Sequence, residues 1–212
     1  MPEGDAGCCP SARKNNFQMK MKKEFSEFNI VISGVGGQGL ITLLKVLAEA
    51  ALETGYEVRS SELHGLSQRG GSVEVHLRFG KKIYSPLVKA RGADLIISLE
   101  AQEALLMAGY AARKTTFLVN NFFQLIPGKP LLNVEAISGI LQKISSNVFF
   151  VSASEICREK LGNEVVAGIY LLGGAVSRGL LPLGFEAIIS SLKKTVAPEY
   201  LELNLKAFNL AK

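Results

Sequence analysis

Cysteine is scarce in this chain and poorly spaced for metal or cluster chemistry. Of three in 212 residues, Cys8 and Cys9 are adjacent near the start and Cys157 lies far away, with no C-x-x-C pair anywhere. That excludes an iron–sulfur cluster or zinc site made by this chain alone. Cys157 reads as a buried or half-buried thiol on a helix rather than a nucleophile, and no histidine accompanies it in sequence. No apolar run approaches the roughly 20 residues needed to cross a bilayer. The N-terminus also lacks the apolar block of a signal peptide, so the expected location is cytoplasmic. There is no internal repeat and no low-complexity segment.

A strongly basic body is absent too. The net charge is +5, but Arg13, Lys14, Lys20, Lys22 and Lys23 concentrate positive charge in the first stretch of chain. The remainder is mildly basic, which argues against a nucleic-acid surface. Residues 1–24 mix Gly, Pro, Ser, Asn and charge without hydrophobic period, and are expected to form a disordered tail. Met19 and Met21 each offer an alternative start within it. The hydrophobic content of 48% over 212 residues suits one substantial core, hence a single domain over 25–212.

What the chain does have is concentrated between Phe28 and Arg78. Ile30, Val31 and Ile32 are the consecutive apolar β-branched residues of a parallel strand covered on both faces. Gly34, Gly36 and Gly39 follow at G-x-G-x-x-G spacing, with Gly37 in addition. Leu40, Leu43, Leu44, Leu47, Ala48 and Ala51 then recur at helical steps, so a helix over 40–54 starts at the glycines and turns its positive end toward them. Backbone N–H groups at Gly36, Gly37, Gln38 and Gly39, with the Thr42 hydroxyl, are candidates to receive a phosphate or carboxylate. Two other readings stay open. The turn can be a close packing turn that binds nothing, or it can hold a dinucleotide, with Glu62 near the expected ribose-binding position and Arg59 and Ser60 suited to a 2′-phosphate.

Gly55 stops the helix, and a second strand is predicted over 56–60, making a right-handed βαβ unit. Ser61 to Gly71 (SELHGLSQRGG) is predicted to be a loop at the carboxyl end of that strand, where open α/β sheets place ligands. Ser72 to Phe79 alternates between an apolar face and a polar one bearing His76 and Arg78, and is expected to turn at Gly80 into a hairpin with 82–85. His76 and Arg78 are read as structural or interfacial. Further strands are expected over 95–99, 115–120 and 147–151. Helices are expected over 100–112, 134–144, 154–161, 165–178, 184–195 and 198–210. Gly173 and Gly174 inside a helix point to close helix packing. The fold class is therefore α/β: a three-layer Rossmann-like domain, its mostly parallel sheet covered by helices on both faces and carrying a local antiparallel hairpin.

GVGGQG at 34–39 together with SELHGLSQRGGSVEVHLR at 61–78 resembles the gamma-type domain of the 2-oxoacid:ferredoxin oxidoreductases, over about residues 28–200. Within the family the chain is most similar to the small beta subunit of the indolepyruvate branch. The gamma subunits of the pyruvate and 2-oxoglutarate enzymes carry similar signatures. The resemblance implies a gamma-type catalytic domain over 25–212 that supports coenzyme A-dependent oxidative decarboxylation of aryl pyruvates, with ferredoxin as acceptor, and is inactive alone. No G-D-G motif followed by Asn is visible here, so thiamine diphosphate, magnesium and the 4Fe–4S clusters are expected on a large alpha subunit. Coenzyme A is the co-substrate. No catalytic or metal-binding residue is assigned to this chain. The motif match adds His64, Ser67, Gln68, Arg69 and Gly70 to the ligand-binding candidates. Arg69 is placed to clamp a carboxylate or a coenzyme A phosphate, or to pair with a partner subunit.

Overall fold

The computed structural model describes residues 25–64, 71–124 and 132–212. The expected tail over 1–24, and Ser67, Gln68, Arg69 and Gly70, lie outside the described residues. At the centre is β1 (Glu27–Val35), whose run Ile30-Val31-Ile32 is fully buried. A strand sends successive side chains to opposite faces, so one run feeds two cores. Ile30 and Ile32 join a large cluster with Leu43, Leu47, Leu172 and Phe208, while Val31 joins a smaller one with Ile96, Phe117 and Leu141.

Six strands form one sheet in the order β2-β3-β1-β4-β5-β6, comprising β2 (Glu57–His64), β3 (Ser72–Gly80), β4 (Leu95–Ser98), β5 (Thr116–Asn120) and β6 (Asn147–Val151). β1, β4, β5 and β6 are parallel, and β3 runs against both β1 and β2. The large core lies under α1 (Leu40–Glu53), α4 (Ala153–Leu161), α5 (Ala167–Ser177), α6 (Phe185–Thr195) and α7 (Pro198–Leu210). The small core lies under α2 (Glu103–Leu106), which continues as a 3-10 turn to Tyr110, and α3 (Val134–Ile144). This is the three-layer α/β arrangement that the hydrophobic pattern predicts.

Three local expectations need correction. The helix predicted over 100–112 is only α2 and its 3-10 turn. The second strand runs on to His64 instead of ending at Ser60, because an edge strand pairs through its backbone and tolerates the polar sequence SSELH. It is also no neighbour of β1, since β3 is inserted between them.

Nor does 82–85 form a hairpin with β3, both of whose edges are already taken. Residues 81–92 instead lie against β3's polar face, bonding to side chains. The Arg78 Nη1 donates to the Ser85 and Leu87 carbonyls at 2.9 and 3.3 Å, and the Val88 N–H donates to His76 Nδ1 at 2.9 Å. The antiparallel hairpin of this sheet is therefore β2–β3.

Candidate functional site

The chain direction divides at β1 and β4. From β1 the crossover α1 goes over the large core; from β4 the crossover α2 goes over the small one. The loops after these two strands therefore part, leaving a crevice at the carboxyl edge. In open α/β sheets that switch point is where ligands bind.

The glycine turn sits on this crevice. Gly37 and Gly39 have φ of 102° and 81°, a region that favours glycine, and Gly39 is the residue from which α1 starts, with no side-chain cap. The Gln38 side chain turns back, its Oε1 accepting the Val35 N–H at 2.8 Å. Two of the four candidate N–H groups are already used: Gly36 donates to the Gly71 carbonyl at 3.0 Å and Gln38 to the Val35 carbonyl at 3.2 Å. Among the described residues the N–H groups of Gly37 and Gly39 find no acceptor, and they adjoin the positive end of α1.

Two cavities flank the turn and share Val165. One, of about 170 Å³, is lined by Gly37, Gln38, Leu99, Asn120, Ser154 and Val165 among others. The other, of about 460 Å³ and mostly apolar, is bordered by Gly39, Thr42, Ile169, Val196 and Tyr200. The sequence candidates thus divide, with Gly37 and Gln38 on one side and Gly39 and Thr42 on the other. Gly34 lies one step down the strand. His64 pairs with Val73 at the same edge, where Val35 pairs with Ser72. The backbone on either side of residues 65–70 is therefore anchored beside the glycine turn, which is how the two sequence motifs meet.

Asn120 and Ser154 escaped the sequence reading. Asn120, 1% exposed, donates through Nδ2 to the Leu99 carbonyl at 3.1 Å and to Ser154 Oγ at 2.7 Å, and its Oδ1 accepts the Ser154 N–H. It bolts the ends of β4 and β5 to the start of α4 and forms the cavity floor. The available signal was positional: LIIS and TFLVN each end a buried strand on a polar residue, at the ligand-bearing edge. Beside them the Glu100 carboxylate, 2% exposed, accepts the N–H groups of Glu103 at 2.8 Å and Gln124 at 3.3 Å. Burial pushes its pKa up despite these bonds.

Other groups prove structural. His76 is 1% exposed, accepting from Val88 and meeting Glu74 through Nε2 at 2.5 Å. The same Glu74 carboxylate hydrogen-bonds the Tyr110 hydroxyl and, with burial, pushes its pKa up to about 12. Arg78 pairs with Glu27 at 2.7 Å. Cys157 is fully buried, and desolvation raises its thiol to about 11, so it is inert. Among the described residues no group of three or more His, Cys, Asp or Glu side chains could hold a metal ion, and no helix is long and apolar enough to cross a membrane.

Comparison with known proteins decides the relationship. The family model described as pyruvate ferredoxin/flavodoxin oxidoreductase matches residues 29–212. The chain belongs to that oxidoreductase family. It is 37% identical over 188 residues to indolepyruvate oxidoreductase subunit IorB of Archaeoglobus fulgidus, covering 86% of this chain and 92% of that protein. It is 26% identical over 178 residues to the pyruvate/ketoisovalerate oxidoreductases common subunit gamma of Pyrococcus abyssi, covering 82% and 89%. Among solved structures, pyruvate oxidoreductase subunit PORC from Thermotoga maritima superposes with a TM-score of 0.65 at 20% identity, over 88% of this chain and 96% of that one. The 2-oxoglutarate:ferredoxin oxidoreductase of Magnetococcus marinus matches with a TM-score of 0.68 at 20% identity, over 89% of this chain but 31% of that one. At that identity the two structures show the fold alone. Within the oxidoreductase family the chain is a small, gamma/beta-type member.

Proposed function

We propose that this chain is the non-redox small subunit of a 2-oxoacid:ferredoxin oxidoreductase and works only when assembled with a larger subunit. In this reading the partner carries thiamine diphosphate, magnesium and 4Fe–4S clusters, and ferredoxin takes the electrons from the complex in the cytoplasm. The described residues gather no ligand set for any of these groups, so no step of the chemistry is assigned to them here. The observation that carries the reading is the family match over 29–212, joined to a glycine-turn crevice at the sheet's switch point.

The part proposed for this chain is to hold an anionic portion of coenzyme A. Gly37, beside the cavity of about 170 Å³, would offer one N–H group, and Gly39 and Thr42, beside its neighbour of about 460 Å³, a second N–H and a hydroxyl; the motif match adds His64, Ser67, Gln68, Arg69 and Gly70 as candidates for the same anion. A cavity of about 170 Å³ is below the roughly 300–1,000 Å³ of a complete small-molecule site. It suits one group of a larger ligand whose remainder rests on a partner. The dinucleotide reading fits less well. Glu62 pairs with Val75, which pairs with Ile32, so the acid stands two strands away from the strand bearing the turn, about 10 Å across the sheet.

As to substrate, identities of 30–37% to indolepyruvate subunits against 23–26% to pyruvate and ketoisovalerate ones favour an aryl pyruvate within the 2-oxoacid class. The test is an anaerobic pull-down of the tagged chain from its own cells, assayed for ferredoxin reduction dependent on coenzyme A with indolepyruvate, pyruvate and 2-oxoglutarate. A large thiamine- and iron-containing partner with one of these activities is the expected result. Ferredoxin reduction by the chain alone, or a partnerless chain that binds NAD(P)H tightly, would overturn it.

A further inference from the structure

α7 buries a stripe of three residues, Asn204, Ala207 and Phe208, spaced to share one helix face. Asparagine is the exception on that face, and a poor helix former besides. It is 6% exposed, and its Nδ2 donates to the Tyr200 carbonyl one turn back at 2.8 Å. A carbonyl can only accept, so this bond fixes which way round the amide stands. Among the described residues Oδ1 then receives no donor, and the second Nδ2 proton reaches no acceptor. No fully enclosed side-chain oxygen or nitrogen among them lacks a partner. Oδ1 is therefore not enclosed: it opens onto the cavity that Asn204 lines.

That cavity is the apolar one of about 460 Å³ beside the glycine turn, within the roughly 300–1,000 Å³ of small-molecule sites. Ile169, Val196 and Leu203 contribute to its walls, and no acid or base lines it, so what it buries is neutral. Thr195, also on the lining, already donates its hydroxyl to the Ser191 carbonyl at 2.8 Å. The uncommitted polar groups thus fall at two depths. Buried Asn204 offers an acceptor beside a donor. Half-buried Gly39 and exposed Thr42 offer an N–H, a hydroxyl and the positive end of α1.

We propose that this cavity is an adenosine-phosphate site, with the adenine ring among Ile169, Val196 and Leu203 and a phosphate at Gly39 and Thr42. Adenine is flat and neutral, and its amino group beside a ring nitrogen matches the two free positions of an asparagine amide. Coenzyme A and a free adenine nucleotide share this chemistry. With coenzyme A as the source, the site rests on the reading above and puts the adenosine end of the coenzyme on this chain, leaving the remainder to the partner.

Calorimetric titration of the full chain with 3′,5′-adenosine bisphosphate, the adenosine end of coenzyme A, should show one site. The inosine analogue, with a carbonyl in place of the amino group, should bind about tenfold more weakly. Asn204→Leu should weaken the adenosine ligand about tenfold and abolish the preference between the two rings. Leucine suits the apolar stripe of α7, and a thermal melt checks that the variant folds; the comparison of the two rings on the parent chain does not depend on it. Coenzyme A that displaces the bisphosphate, with a several-fold rise in its KM in the assembled Asn204→Leu enzyme, would identify coenzyme A as the source. Binding of 5′-AMP with the same ring preference, undisturbed by coenzyme A, would identify a free nucleotide, and either result supports the adenine site. Absence of bisphosphate binding to both the full chain and the complex, indifference to the ring, or an Asn204→Leu chain that binds like the parent would overturn it. If Gly37→Ala then still raises the KM for coenzyme A, the anion reading of the glycine turn stands without the ring site.

Discussion

Gln38 Oε1 accepts the Val35 N–H at 2.8 Å, and in doing so fills the space that a side chain on Gly34 would need. A Cβ at Gly34 would stand 2.6 Å from that oxygen and 3.1 Å from the Leu99 Cβ. Gly34→Ala should therefore expel the Gln38 side chain and cost about 1–3 kcal/mol through overpacking. Gln38→Ala leaves the Val35 N–H without its acceptor, at a similar cost of about 1–3 kcal/mol. Because both changes remove the same contact, the double variant should lose less than the two single losses combined, as urea denaturation of all four proteins would show.

The neighbouring glycines of α5 should respond in opposite directions. A Cβ on Gly173 would collide with the Phe208 carbonyl on α7 and approach the Ala211 Cβ at 3.0 Å, so Gly173→Ala should destabilise by about 1–3 kcal/mol. At Gly174 the added carbon meets only the tip of the Arg178 side chain, at 2.9 Å. That tip can move, so Gly174→Ala should stabilise by up to about 1 kcal/mol through helix propensity. Thermal melts of the two variants should straddle the parent.

Glu100 gives a pH signature. Its native pKa is raised by burial, so the folded chain holds this proton more tightly than the unfolded chain. The resulting stability is fully present below the unfolded carboxylate pKa and is lost as pH rises through the raised native value. Glu100→Gln, which keeps an acceptor for the Glu103 N–H, removes this dependence. The variant should gain on the parent as pH rises from the acid range toward neutrality. A difference that is flat with pH, measured by denaturant titration, would place the carboxylate elsewhere.

Gly37 separates folding from function. With φ at 102° and no neighbour within 4 Å of a Cβ, Gly37→Ala meets no clash but must hold a left-handed backbone, costing about 1–2 kcal/mol. If Gly37 holds an anion in the assembled oxidoreductase, the variant's KM for coenzyme A should rise several-fold while subunit association is unchanged. Loss of association with KM unchanged would show the turn to be a protein contact.

The sequence disclosed most of the architecture because its periodicity is strong where burial is complete. β6, α3 and α7 fall on the predicted residues. It failed where long-range pairing decides. Nothing local in EVRSSELH announces an edge strand, and nothing in SVEVHLRF announces insertion beside β1, since that pairing, like the bond from Arg78 to Asn29, joins segments far apart in sequence. At the site, glycine spacing identified the turn. It could not reveal that Gly36 and Gln38 spend their N–H groups internally, nor that Asn120 closes the floor, because those facts depend on strands converging at one edge.

β1, the strand on which both cores depend, cannot find a partner early. It pairs with β3, Glu27 against Gly80, and with β4, Ile30 against Leu95. A chain emerging from the ribosome therefore displays the strand that feeds both cores with both hydrogen-bonding edges bare until its successors are made. Closing such distant contacts precedes their reward. The order of synthesis, rather than final stability, sets the period in which this protein is exposed to misassociation.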